Sequence, residues 1–249
     1  MPLEVVQWFG AMQAQDAASG HWSLGIRSAH ATDADVVAAF ERREIVRTWP
    51  MRGTIHVVPA CDVAWLLELT GSRALSGAAR RREQLGLTLA HVELAATTLT
   101  DALRANPVIT RAEAIAAMAG AGLDVAEQRS YHLLWHTAQI GVTCIGPQRG
   151  SDQTFVLVDE WAPQQVQLSR AEALTELFFR FVRSHGPVGL REFAGWTGLN
   201  LGDAKTAAAG NAGRVLPVAS EAGEVWLTVE LAERLRASEF AQHAMVALP

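Results

Sequence analysis

The segment from residue 88 to residue 157 constrains the fold most. "LTLAHVELAATTLTDALRAN" carries helical periodicity over about residues 88–105. "PVITRAEAIAAMAGAGL" then opens a second helix. Thr110 stands at its N-cap and Glu113 follows three residues on, the spacing at which each side chain satisfies a free backbone amide of the other. Gly120 and Gly122 end that helix, and "AEQRSYHLLWHTAQIG" is a third, stopped at Gly141. "VTCIG", "PQRGSD" and "QTFVLV" follow as strand, turn-rich loop and strand. Three helices and then a hairpin is the order of a winged helix. In that fold the third helix can enter a major groove, and the hairpin loop is the wing.

The same order returns further on. "SRAEALTELFFRFVRSH" reads as a helix, "GPVGLREFAGWTG" as a turn and short helix, and "NLGDAKTAAAGN" as a weaker helix. "RVLPVA" and "VWLTVE" are strands flanking a loop. Pro107-Val108-x-x-Arg111 is echoed at the corresponding place by Pro187-Val188-x-x-Arg191. The first third fits a looser version. "PLEVVQWFGAM" and "ATDADVVAAFERRE" are helices, the second capped by Thr32 or Asp33. "IVRTWPM" and "RGTIHVV" are strands around a tight turn at Arg52-Gly53, and helix "CDVAWLLELTGSRAL" follows. The expected fold is therefore mainly α with small β-hairpins, built as tandem winged helices over residues 1–86, 87–163 and 164–249. An unrelated all-α fold with hairpin insertions is the alternative.

Composition narrows the function. Hydrophobic residues make up 49% of the 249, enough for a sizeable core, and charged residues only 19%, which argues against disorder. The net charge of −5 argues against affinity for nucleic acid over the whole surface but permits a local basic face. Residues 1–85 hold nine Arg against nine acidic residues, including the run Arg80–Arg82; residues 86–160 hold four against eight. Lys205 is the only lysine. Arg can grip phosphate with two parallel hydrogen bonds, although a GC-rich coding sequence also produces an Arg excess. Cys61 and Cys144 are too few and too far apart for a disulfide framework or a metal cluster, and Cys144 reads as a small buried residue. The eight histidines show no HExxH or HxH spacing, so neither a metal nor a cofactor is expected. With no signal peptide and no apolar run of spanning length, the expectation is a cytoplasmic protein without a membrane partner.

"GAMQAQDAASGHW" holds the candidate chemistry. Gln13 and Gln15 are separated by one residue, and Asp16 follows. In an extended segment the two amides project to the same side; on a helix they would lie roughly 200° apart and could not share a water. A catalytic role therefore requires the helix from Pro2 to end near Met12. Asp16 either adds an electrostatic contribution or caps the next helix. On these residues alone, a polar patch at a helix end that satisfies backbone groups is the favoured reading of the pair.

That string, followed by "IVRTWPMRGTIHVVPACDVAWLL", resembles the AlkZ-like winged-helix DNA glycosylases, the bacterial family related to YcaQ. "GVTCIGPQRGSDQTFVLVDEW", "RFVRSHGPVGLREFAGWTGL" and "GEVW" agree with it. The resemblance covers nearly the whole chain and is most specific in the first sixty residues. It implies three tandem winged helices around a concave DNA-binding surface and removal of alkylated bases, with unhooking of interstrand crosslinks in some members. The family's catalytic Gln-x-Gln, or Gln-x-Asp in its other branch, falls here on Gln13-Ala14-Gln15. Relatives carry a helical segment before the position of "PLEVV" and continue past "HAMVALP". That apolar ending resembles the entry to another strand, so a missing C-terminal segment is expected.

The implied chemistry suits amides. A purine alkylated at N7 is cationic and leaves without a general acid. What remains is to expose it, to tolerate an oxocarbenium-like sugar and to place the attacking water. Glutamine can position that water and stabilise charge with its carbonyl dipole. His56 and Asp16 are candidate supporting groups. Arg47, Arg52 and Thr54, with His56, belong to the first hairpin, where alternation puts Arg52, Thr54 and His56 on one polar face. Gln128 and Arg129 open the third helix of the middle unit, beside Tyr131 and His132, and Arg149 at the wing tip is placed for a minor groove. The expected partner is double-stranded DNA, with the protein a monomer associated with the nucleoid when bound. Non-catalytic alternatives are a winged-helix regulator, a drug-sequestering resistance protein, or a protein–protein winged helix.

Overall fold

The computed structural model describes residues 1–221 and 223–237; the apolar ending "HAMVALP" lies outside them. It is mainly helical with small antiparallel sheets. The chain divides into two compact units, Met1–Ser169 and a second from Arg170 onward.

In the first unit, α1 (Pro2–Phe9) leads to β1 (Met12–Gln13), α2 (Ala17–Gly25), α3 (Asp33–Glu41), β2 (Ile45–Thr48) and β3 (His56–Pro59). A long helix α4 (Val63–Gln84) connects this to α5 (Leu89–Ala105), β4 (Ile109–Thr110), α6 (Arg111–Gly120), α7 (Gln128–Gln139), β5 (Thr143–Ile145), β6 (Thr154–Leu157) and α8 (Val158–Trp161). The two halves run through one order, helix, short strand, two helices, hairpin. In each, the short strand pairs with the last strand of its hairpin: β1 with β3 and β4 with β6. The hairpins then join edge to edge through Arg47 opposite Ile145, giving one six-stranded sheet ordered β1-β3-β2-β5-β6-β4.

Local signals set the helix ends. Thr110 accepts from the Glu113 amide and Glu113 returns the bond to the Thr110 amide, the reciprocal cap that the spacing predicts. Thr32, rather than Asp33, caps α3, with Asp35 as its partner. The turn between β2 and β3 falls at Arg52-Gly53. Both residues have positive φ (54° and 68°), and the Thr54 amide donates to the Met51 carbonyl, the pattern of a type I′ turn. Gly53 is needed there twice over, because a Cβ would also meet the Trp135 indole at 3.2 Å. One core packs Leu99, Leu103, Met118, Leu133, Ile145 and Phe155; another packs Val6, Leu24, Val36, Ile45 and Val57.

The second unit repeats the order: α9 (Arg170–His185), α10 (Leu190–Thr197), α11 (Leu201–Gly210), the hairpin β7 (Val215–Ser220) and β8 (Gly223–Thr228), and α12 (Val229–Ala237). Val188, before α10, bridges Trp226 of β8. That is the place β4 holds in the first unit. Its core is aromatic, with Phe178 edge-on to Phe193 at 5.1 Å and to Trp226 at 5.9 Å.

Candidate active site

The helix ahead of the glutamines stops early. α1 ends at Phe9, and Gly10 takes φ 80°, which turns the chain into the extended β1. Met12 pairs with Val57 and Gln13 with His56, and the Ala14 amide donates to the Ile55 carbonyl at 2.9 Å. Alternation follows: Met12 and Ala14 are buried while Gln13 and Gln15 are exposed. The two amides thus leave the chain on one side, as a shared water requires.

Ala14, between them, is pinned from three directions. Its amide is held by Ile55. Its carbonyl accepts from an Arg47 Nη at 2.9 Å. Its methyl packs against Gly20 of α2 so closely that a Cβ on residue 20 would lie 2.8 Å from it. A small residue in the middle of the motif and a glycine on the neighbouring helix are two sides of one contact.

The glutamines are not equivalent. Gln15 Oε1 accepts the Ile55 amide at 3.1 Å, taking over where the backbone ladder stops. The Gln13 side chain is exposed and makes no hydrogen bond among the described residues. Asp16 caps α2, accepting the Ser19 amide at 2.7 Å. That bond and one from the Ser19 side chain hold its carboxyl below the usual range, with Arg47 adding a smaller attraction.

His56 sits opposite Gln13 but is 1% exposed. Its Nδ1 lies 2.9 Å from the Thr54 carbonyl and so carries the proton. Burial first, and then the Arg52 charge, push its pKa down to about 4, with the Thr54 bond opposing them. His56 is a neutral imidazole near pH 7.

Two expectations about the first hairpin are corrected. Arg52, Thr54 and His56 do not form one polar strand face, because the strand begins only at His56. Arg52 is exposed in the turn, and the Thr54 hydroxyl donates to the Met51 carbonyl. Arg47 is drawn inward rather than left open on the hairpin surface. It is 8% exposed, committed to Ala14, and lowered in pKa by burial against the opposing pull of Asp16. In the middle half, α7 buries every side chain from His132 to Gln139, leaving Gln128 and Tyr131 exposed at its N-terminal end. Arg129 donates to the Leu85 carbonyl and pairs with Asp124. Arg149 donates to the Val108 carbonyl and reaches Glu113 at 3.4 Å.

Sequence reasoning noted the Arg80–Arg82 run but did not place it with Arg73 on one exposed helix. From its midpoint onward α4 exposes Arg73, Arg80 and Arg81. Arg73 and Arg80 lie seven residues, two turns, apart and so share a face. Neither Arg73, Arg80 nor Arg52 makes a hydrogen bond or ion pair among the described residues. The signal was the Arg80–Arg82 run read together with Arg73 on one uninterrupted helix. Among the described residues, no group of three His, Cys, Asp or Glu is placed to hold a metal, and no helix is long and apolar enough to cross a membrane.

The chain belongs to the DNA glycosylase AlkZ-like family, whose family model matches residues 6–248. Among solved structures it is similar to the Streptomyces sahachiroi DNA glycosylase AlkZ, with a TM-score of 0.76 and 22% identity over 95% of this chain and 66% of that one. At that identity the likeness is one of fold, and this chain spans 66% of the length of that protein. No curated protein matches the chain.

Proposed function

We propose that the protein is a monofunctional DNA glycosylase that binds duplex DNA and releases alkylated bases, N7-alkylpurines or crosslinked ones, by water attack at the sugar. The observation that carries this reading is the free Gln13 amide beside the anchored Gln15. Gln13 offers an acceptor for the water's proton and a dipole toward the developing oxocarbenium ion. Gln15 keeps its two amide hydrogens available while its carbonyl holds position. The cationic base leaves as a neutral molecule, so the site needs no acid, in keeping with a neutral His56. The repeated order, with the short strand returning to the last strand of each hairpin, supports tandem winged helices. The free arginines of α4 and Arg52 are the best-placed phosphate contacts. Arg149, Arg129 and Gln128 would serve at the wing and the start of α7, the two arginines by exchanging protein partners for DNA.

The test is single-turnover release of free base from a duplex carrying N7-methylguanine. Gln13→Ala is expected to lower release by roughly a hundred- to thousand-fold and to leave duplex binding and thermal unfolding unchanged. Gln15→Ala is expected to lower both release and stability, because the Ile55 amide loses its acceptor. The Gln15–Ile55 bond also favours a second reading, a non-catalytic DNA-binding protein whose glutamines only complete the sheet. That reading predicts no release from the wild type and a stability change in the Gln15 variant alone. A Gln13→Ala protein as active as wild type would end the catalytic proposal.

A further inference from the structure

Immediately after the glutamine motif the first unit opens into a cleft of about 840 Å³, lined by Asp16, His21, Trp22, Ile26, Asp33 and Gln148 among others. Its α2 wall carries Ala17, Ala18 and Gly25, small residues that let a ligand approach the helix. Trp22 is 68% exposed and Ile26 57%; of the unit's other tryptophans, Trp8 is 47% exposed but does not line the cleft, and those at positions 49, 65, 135 and 161 are all at most 9% exposed. An indole left in solvent at the mouth of a cleft is a stacking surface in want of a planar partner.

The charges say which planar partner. The lining contains two carboxylates, Asp16 and Asp33, and neither Lys nor Arg. Asp16 is kept ionised by its Ser19 bonds, and Asp33 lies 3.1 Å from His21 Nδ1. His21 itself is fixed by stacking on Phe40 at 5.4 Å. Phosphate would be repelled here, and the free arginines that would attract it lie on α4 and in the β2–β3 turn. A flat cation gains on both counts, from the indole face and from the carboxylates. A neutral base gains only the stacking.

Resting on the glycosylase reading, we propose that this cleft receives the extruded base, that Trp22 stacks on it, and that Asp16 and Asp33 select the cationic, N-alkylated form over neutral bases. Asp16 ties the cleft to the catalytic pair along the chain: it follows Gln15 directly and is part of the wall, while the two glutamines stand outside the lining. A base turned out of the duplex would put its ring against Trp22 and its sugar toward the glutamines.

Two measurements separate this from the activity on which it rests. The first titrates the intact protein with 7-methylguanosine and with guanosine at mildly acidic pH, followed by ligand-observed NMR. Binding of the methylated nucleoside about tenfold or more above guanosine is expected. Trp22→Ala should lose it, Trp22→Phe should keep most of it, and Asp33→Asn should narrow the preference. Equal binding of the two nucleosides, or binding indifferent to Trp22→Ala, overturns the proposal. The second is single-turnover release from N7-methylguanine DNA, where Trp22→Ala is expected to slow the reaction about tenfold or more with duplex affinity changed much less. If wild type and Trp22→Ala release base equally, the cleft proposal falls while the enzyme stands. If the wild type releases nothing yet binds the cationic nucleoside through Trp22, the enzyme reading falls and the cleft stands. A Trp22→Ala protein that changes only its oligomeric state in sedimentation overturns the proposal in favour of self-association.

Discussion

Replacing His56 tests whether the site is built around a neutral imidazole. The side chain is 1% exposed and its pKa falls from 6.5 to about 4 on folding, mainly through burial. Between those values the unfolded chain takes up a proton that the folded chain refuses, so stability is full above about pH 6.5 and declines as the pH falls toward 4. At roughly 1.36 kcal/mol per pKa unit the whole effect is about 3 kcal/mol, of which about 2 kcal/mol is lost between pH 7 and pH 5. For a chain of this size that is about 4–8 °C in Tm. His136, also lowered to about 4 by burial and by His132 and Arg82, titrates in the same window, so the wild-type slope is steeper than one histidine provides. His56→Asn isolates the contribution, because its amide nitrogen can still donate to the Thr54 carbonyl while nothing at position 56 takes a proton. Urea unfolding at half-unit steps from pH 7.5 to 4.5 should give a variant that starts less stable but loses about 2 kcal/mol less on going from pH 7 to pH 5. Parallel profiles for variant and wild type would refute the argument: the imidazole would then be reachable by water and free to ionise beside Gln13.

Gly20→Ala is decided by sign: helix propensity alone predicts a gain of up to about 1 kcal/mol, whereas the 2.8 Å approach to the Ala14 methyl predicts a loss, with reduced base release; thermal unfolding and single-turnover kinetics distinguish them. Arg47→Met leaves the Ala14 carbonyl without its donor and is expected to cost about 1–3 kcal/mol, with release falling more than duplex affinity; unchanged release would show that the peptide between the glutamines needs no clamp. Arg80→Ala and Arg81→Ala should each flatten the log affinity against log salt slope for duplex DNA by roughly one unit, and a slope equal to wild type would place the phosphates elsewhere.

The parts of this fold legible in the sequence are those whose causes are local. The Thr110–Glu113 cap, the Thr32 cap of α3 and the Arg52-Gly53 turn involve residues within a few positions of one another, so a short window contains both partners. The two-residue strands β1 and β4 were not legible. They exist only because Met12 and Gln13 find Val57 and His56, and Ile109 and Thr110 find Phe155 and Thr154, more than forty positions away. The burial of α7 was hidden for a related reason. Its Thr and Gln side chains are polar, yet Thr137 donates to the Leu134 carbonyl and Gln139 to the Trp49 carbonyl ninety positions away, so they enter the core with backbone acceptors. Within the site, the spacing of Gln13 and Gln15 was legible because it depends only on an extended backbone. Arg47 was not: an arginine in a polar-looking hairpin reads as a phosphate ligand until its contact with Ala14 is seen.

What the long-range contacts add is a division of labour within four residues. Ala14 is held by Ile55, Arg47 and Gly20, Asp16 is spent on the helix cap, and half of Gln15 is spent on the Ile55 amide. Each commitment removes freedom from the backbone that carries Gln13, and none of them uses the Gln13 side chain itself. A dipole that is to stabilise a transient cation contributes most when it need not reorganise during the reaction. The segment fixes the backbone from which Gln13 projects; on the proposed reading the amide itself is held only once water and the lesion are bound. A sheet edge that merely needs closing is served by the Gln15 bond alone, so it is the Gln13 variant that separates the catalytic proposal from a purely structural account.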